Sequence, residues 1–259
     1  MLAVFHRHLI GAPFLPEDPQ LGNSRANQDS AVEVAIKLSQ AAHMETPHEI
    51  VFDRGGFALA GSDVQLAETD LNDSRVHVMF KGQISNMHEI YELYSVSEEF
   101  RGPKPDFARF ILSLYIEGFA DVYGDWTDQP ATLLGALEGD FACILYDSGM
   151  GYLLAVRSAS AKEPLYWGLD DAAGDNLVIS SAAGYLSAFP PGCAYESQVV
   201  PDGHPCKCRM VNFTRHTPAT RAVETLSKVD SHGHLCGLMF KSKSGRDLMS
   251  AGGQVDEAY

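Results

Sequence analysis

What this chain has little of narrows its class before any motif is read. Basic residues are scarce: 19 Lys and Arg stand against 34 Asp and Glu, a formal net charge of -15 at pH 7. That balance repels a phosphate backbone, and no local Lys/Arg cluster is dense enough to reverse it, so nucleic acid is not an expected partner. Long apolar runs are missing too. Stretches such as Phe141 to Tyr146 and Tyr152 to Val156 fall far short of the ~20 residues a membrane-spanning helix needs, and no span is expected. His6, Arg7 and His8 near the start are not followed by an apolar stretch with a small-residue cleavage site. No signal peptide is therefore expected, and a cytoplasmic location, extending to the nucleus, fits best. The five cysteines (Cys143, Cys193, Cys206, Cys208, Cys236) are odd in number, two of them one residue apart, which suits free thiols in a reducing compartment. No phosphate-cradling P-loop and no GxGxxG is present, so no nucleotide cofactor is implied and none is assigned. No internal repeat and no Pro/Gly-rich or charge-rich linker divides the 259 residues. With 45% hydrophobic content the chain reads as one domain, residues 1–241, followed by a polar, glycine-containing tail over 242–259 expected to be flexible.

What is present reads as strands grouped around a helical block. Met1 to His8 is apolar and partly β-branched, which predicts a strand ending in the Pro/Gly/Asn-rich stretch Gly11 to Asn27. Asp29 or Ser30 can cap a helix with Val32, Val34, Ala35, Leu38 and Ala41 on one face. Short strands are expected over Glu49 to Asp53, Gly56 to Gly61 and Arg75 to Phe80, separated by Gly/Asn/Asp/Ser turn signals. Two helices are expected over Asn86 to Ser95 and Pro105 to Val122, the second amphipathic. Strands return over Asp140 to Tyr146, Gly151 to Arg157, Pro164 to Gly168 and Leu177 to Ser181, then near Cys193 to Val199, Cys208 to Phe213 and Leu235 to Lys241. Strands before and after a helical block, without βαβ alternation, predict a layered α+β fold with mostly antiparallel sheets.

Two constellations bear on chemistry. His204-x-Cys206-x-Cys208 and His232-x-His234-x-Cys236 carry the nitrogen and sulfur donors zinc favours. Their spacing is not that of a zinc knuckle and the two segments would have to meet in space, so ordinary core or solvent-facing side chains are the leading reading. Cys143 sits in an apolar run with no basic neighbour in sequence, which predicts an inert core thiol.

Several stretches together carry a resemblance: Met1-Leu2-Ala3-Val4-Phe5, Phe80-Lys81-Gly82-Gln83-Ile84-Ser85-Asn86, Leu137-Glu138-Gly139-Asp140-Phe141-Ala142, Leu145-Tyr146-Asp147 and Pro164-Leu165-Tyr166-Trp167-Gly168. Phe189-Pro190-Pro191-Gly192-Cys193 and Val229-Asp230-Ser231 through Cys236-Gly237 add to them. On these the chain resembles the plant and algal aluminium-induced, stem-specific protein family, itself similar to the glutaminase domain of asparagine synthetases. The family's Tyr-Gly-Leu and Leu-Arg-Asp-Arg motifs appear only as Tyr94-Ser95-Val96 and the region of Tyr123-Gly124-Asp125-Trp126. The resemblance implies a four-layer αββα sandwich of the N-terminal-nucleophile type.

It also implies which groups catalysis would need. A class II amidotransferase attacks the glutamine amide with an N-terminal cysteine whose own α-amino group serves as base. Here Met1 is followed by Leu2, too large to favour removal of the methionine, so Met1 is expected to remain. Its thioether cannot form an acyl-enzyme. Lys81 stands where the resemblance places an oxyanion-binding asparagine, and Gly82 keeps the glycine that follows it. The carboxylate-clamping arginine falls at Gly55-Gly56-Phe57, with Arg54 as the neighbouring candidate, and the aspartate for the substrate amine falls near Asp106. Gly82 has two equal readings, close approach of a ligand or a strand end needing no side chain. The expectation is a chain without amidotransferase activity that works as a homo-oligomer or within a protein assembly, with a vestigial metabolite cleft at Lys81, Gly82, Asp106 and Arg54. A glutamine amide hydrolase with an unusual nucleophile, or a metal- or thiol-based stress sensor, is the alternative.

Overall fold

The computed structural model describes residues 1–5, 32, 35–36, 48–52, 56–71, 74–94, 105–118, 129–170, 176–184, 186–198, 207–214, 223–229 and 235–242. Strands β1 (Leu2–Phe5), β2 (His48–Phe52), β3 (Gly56–Ala60), β4 (Gln65–Leu71) and β5 (Ser74–Ile84) precede helices α1 (Met87–Leu93), α2 (Phe107–Gly118) and α3 (Gln129–Ala136). Strands β6 (Gly139–Asp147), β7 (Tyr152–Arg157), β8 (Tyr166–Asp170), β9 (Asn176–Ser180), β10 (Ser187–Ala188), β11 (Cys193–Gln198), β12 (Lys207–Asn212), β13 (Val223–Val229) and β14 (Leu235–Ser242) follow. They form two six-stranded sheets, ordered β10-β8-β9-β1-β3-β2 and β12-β11-β7-β6-β5-β4, and a β13–β14 ribbon. Every described pairing is antiparallel.

The period-2 alternation of the strands explains how the sheets stack. In β1, Ala3 and Phe5 join Met1 in a cluster with Met79, Ala142, Ile144, Tyr146, Leu153 and Ala155 of the second sheet. Leu2 and Val4 point to the opposite face, where Phe57, Leu59, Val178 and the helical residue Ala35 surround them. β6 divides in the same way: Ala142, Ile144 and Tyr146 face the first sheet. Phe141, Cys143 and Leu145 face the side chains of α1, α2 and α3. Both strands are buried on both faces, which is why they read as unbroken apolar runs. Phe5 and Phe52 stack with centroids 5.3 Å apart, and Tyr146 leans on both. Each such buried ring stabilises the packing by about 1.5–3 kcal/mol.

Several elements differ from the sequence reading. β4 was not anticipated: Gln65-Leu66-Ala67-Glu68-Thr69-Asp70-Leu71 is an edge strand of weak intrinsic propensity, and its ladder to β5 imposes the conformation. α3 was missed because Pro130 and Gly135 interrupt its pattern, and β10 and β13 were not assigned. The second expected helix starts at Phe107, two residues later than expected, because Asp106 caps it: Asp106 Oδ1 accepts the Arg109 amide at 2.9 Å; it is described to Gly118, and residues 119–122 lie outside the described residues. The strand from Arg75 extends to Ile84. The tail beyond residue 242 and most of the first expected helix lie outside the described residues.

Candidate functional site at the head of strand β1

β1 pairs with β3 and β9, and strand alternation puts Met1, the residue just before it, on the same face as Ala3 and Phe5, between the sheets. Met1 is 3% exposed, and its side chain belongs to the inter-sheet core. The Met1 amine donates to Ser181 Oγ at 3.0 Å, and Ser181 returns two bonds to the Met1 carbonyl, from its amide at 2.8 Å and its hydroxyl at 3.2 Å. Burial removes water from the charged amine and lowers its pKa from 8.0 to about 6, with Asp63 opposing the shift and Lys81 adding to it. The amine is therefore mostly unprotonated at neutral pH.

Lys81 projects from β5, and its Nζ lies 2.7 Å from Asp63 Oδ2 and 4.0 Å from Glu163 Oε2. Asp63 comes from the turn between β3 of one sheet and β4 of the other, closed by the Val64 amide donating to the Gly61 carbonyl at 3.1 Å. Lys81, by hydrogen bond and charge, holds the Asp63 carboxyl below its usual range against the opposing effect of burial. Glu163 comes from the β7–β8 loop, which Arg157 pins through two of its carbonyls, Nε to Glu163 at 3.0 Å and Nη2 to Ala161 at 2.9 Å, while Nη1 reaches the Phe189 carbonyl just after β10 at 2.8 Å. Ala161 pays for that course with φ +55°. On the same loop Lys162 donates to Asp140 Oδ2 at 2.8 Å, and Lys162 followed by Ser160 lowers the Asp140 pKa.

Gly82 has φ +105°, and a Cβ there would lie 2.1 Å from the Asp140 carbonyl oxygen and 2.9 Å from Glu163 Cγ. The protein's own backbone therefore demands a glycine at this position, independently of any ligand. Asn86, at the end of the same motif, donates to the Ala136 carbonyl at 2.7 Å and accepts the Glu138 amide at 2.9 Å, tying β5 to the turn before β6.

The sequence profile of aluminium induced proteins matches residues 2–242. The chain belongs to the aluminium induced protein family. No curated protein matches it in sequence. Among solved structures it is similar to a glutamine phosphoribosylpyrophosphate amidotransferase from B. subtilis complexed with ADP and GMP, at 16% identity and TM-score 0.41, covering 62% of this chain and 35% of that one. It is also similar to an allosteric regulatory enzyme of purine biosynthesis, at 14% identity and TM-score 0.41, over 64% of this chain and 37% of that chain. A glutamine aminotransferase class-II domain protein from Silicibacter pomeroyi follows at 15% identity and TM-score 0.35, over 52% and 65%. The chain thus spans little more than a third of the first two enzymes' length.

Within this aluminium induced protein, Lys81 and Gly82 are adjacent on β5, and Lys81 and Met1 lie within electrostatic reach of each other. Asp106 instead caps α2. Arg54, His204, Cys206, His232 and His234 lie outside the described residues, as does the side chain of Cys236. Cys208 lies on β12, partly buried against the inter-sheet core. Among the described residues no group of three or more His, Cys, Asp or Glu could hold a metal, and no helix is long and apolar enough to cross a membrane. Cys143 is buried, and burial pushes its thiol pKa far up, so thiolate chemistry is closed to it. The sequence reading missed Asp63, Glu163, Ser181 and Arg157. A half-buried lysine needs a carboxylate, and the Gly61-Ser62-Asp63 turn was the available signal; nothing local marks Ser181, which reaches Met1 only through the β1–β9 ladder.

Proposed function

We propose that this chain is a glutamine-amidotransferase-like protein, a four-layer αββα sandwich over residues 1–241, that does not hydrolyse glutamine and acts by association. It works as a homo-oligomer or as a subunit or regulator of a larger, stress-related assembly in the cytoplasm or nucleus. The observation that carries this reading is Met1: the residue whose amine sits buried beside Ser181 bears a thioether packed into the core, in place of a thiol or hydroxyl. Lys81 supports it, because its ammonium is engaged by Asp63 at 2.7 Å and is a poor substitute for a neutral amide donor fixed on an oxyanion. Lys81 and Asp63, whose charges act on the Met1 amine, and Glu163, 4.0 Å from Lys81, are the polar groups that would hold a small polar metabolite without turning it over.

Sedimentation velocity of the purified chain, and of the chain isolated from its own cells, tests the associative half. A species heavier than the monomer, alone or with a stoichiometric partner, is expected. A monomer at every concentration, from both sources, refutes it.

A further inference from the structure

We propose that Met1 and Ser181 together form an acyl-accepting site, in which Ser181 Oγ takes one small acyl group from an activated ester or thioester and passes it to the Met1 α-amine. The inference goes beyond the associative role and does not depend on it. Its geometric basis is the 3.0 Å separation of the amine nitrogen and Ser181 Oγ, fixed by backbone: the Ser181 amide holds the Met1 carbonyl at 2.8 Å, and Leu2 pairs with Ser180 in the ladder. The hydroxyl hydrogen now directed to the Met1 carbonyl at 3.2 Å needs only a rotation about Cβ–Oγ to meet the amine lone pair.

A base is useful when its pKa lies near the working pH, and burial brings this amine to about 6. Ser181 is half-buried while Met1 is buried, so an incoming donor meets the hydroxyl before the amine. Two charged groups act on the amine, Lys81, whose field disfavours a proton there, and Asp63, whose field favours one; Glu163 lies 4.0 Å from Lys81.

In the first step Ser181 Oγ attacks the acyl carbon, the amine takes the hydroxyl proton, and that proton leaves on the departing alcohol or thiol as the bond to it breaks. In the second the amine nitrogen attacks the new ester, the carbon–Oγ bond breaks, and a proton returns from nitrogen to Oγ. The product is an amide at Met1, an unmodified serine and one released alcohol or thiol. An amide has no basic lone pair, so the site is used once. Such a single acylation is compatible with a protein that has no turnover.

The full chain, shown by intact mass to carry Met1 unblocked, is incubated with p-nitrophenyl acetate near neutral pH. One p-nitrophenol per chain is expected, with a single acetyl mapped to the Met1 amine and a rate that rises as pH increases through about 6, where the amine loses its proton. Ser181→Ala should slow Met1 labelling about 100-fold, and Ser181→Thr should restore most of it; circular dichroism confirms that both fold. Acetyl found on lysines with Met1 free, or Ser181→Ala labelled at Met1 as fast as the parent, overturns the proposal. Continued p-nitrophenol release that requires Ser181 overturns the transfer to the amine. The non-amidotransferase reading is judged separately, by ammonia release from glutamine.

Discussion

Lowering the pH from about 8 to about 5.5 forces a proton onto the Met1 amine between the two sheets, and the fold has to bear the cost. The amine has its ordinary pKa of 8.0 in the unfolded chain and about 6 in the folded one. Above the higher value both states hold a neutral amine and no penalty arises. Between the two values the unfolded chain binds a proton that the folded chain refuses, so stability falls as pH falls; below the lower value both are protonated and the loss is complete. A shift of about two pH units at about 1.4 kcal/mol each amounts to a loss of roughly 3 kcal/mol. Urea unfolding across that range should show the decline levelling off below about pH 6. Histidines titrate in the same window, so the amine itself is followed by NMR of Met1 labelled with 15N. Two variants fix the cause: Asp63→Asn should lower the amine pKa further and Lys81→Met should raise it, since the first removes the favourable charge and the second the unfavourable one. An amine titrating near its unfolded value, or one indifferent to both variants, would refute a buried amine under the influence of Asp63 and Lys81.

The other predictions concern the frame of the site. Gly82→Ala places a Cβ 2.1 Å from the Asp140 carbonyl oxygen at φ +105°, and should destabilise the protein by about 3 kcal/mol or more in thermal or urea unfolding. Ala161→Gly relieves a left-handed conformation at φ +55°, and after the greater freedom of glycine in the unfolded chain a gain of about 0.5–1 kcal/mol should remain. Arg157→Lys cannot span the carbonyls of Glu163, Phe189 and Ala161 together; it should cost about 2 kcal/mol and raise hydrogen exchange in the β7–β8 loop, whereas unchanged exchange would remove Arg157 from the role of loop clamp.

The long apolar strands were legible because both their faces are buried: β1 and β6 leave no polar alternation to confuse; β6 was placed within a residue at each end, and β1 starts one residue into the expected Met1 to His8, whose residues 6–8 lie outside the described residues. The amphipathic stripe of α2 was equally plain, since Phe110, Ile111, Leu114 and Tyr115 all reach the core. Edge strand β4 was not legible, because ladder bonds to β5 and not its own Glu, Thr and Asp residues make it a strand. At the site, Met1, Lys81 and Gly82 could be named from their order in the chain. Asp63, Glu163 and Ser181 could not, since a turn joining two sheets and a clamped loop bring the first two to Lys81, and a ladder brings the third to Met1, from distant parts of the sequence. Gly82 shows a different limit: its presence was evident, but only the position of the Asp140 carbonyl tells that the backbone requires it.

Ammonia release from glutamine by a chain whose intact mass has been measured tests the central claim most directly. The account predicts that Met1 is retained and that ammonia release stays at the level of buffer alone. A trimmed chain beginning at Cys, Ser or Thr, with glutamine turnover that a thiol- or hydroxyl-directed reagent abolishes, would contradict it.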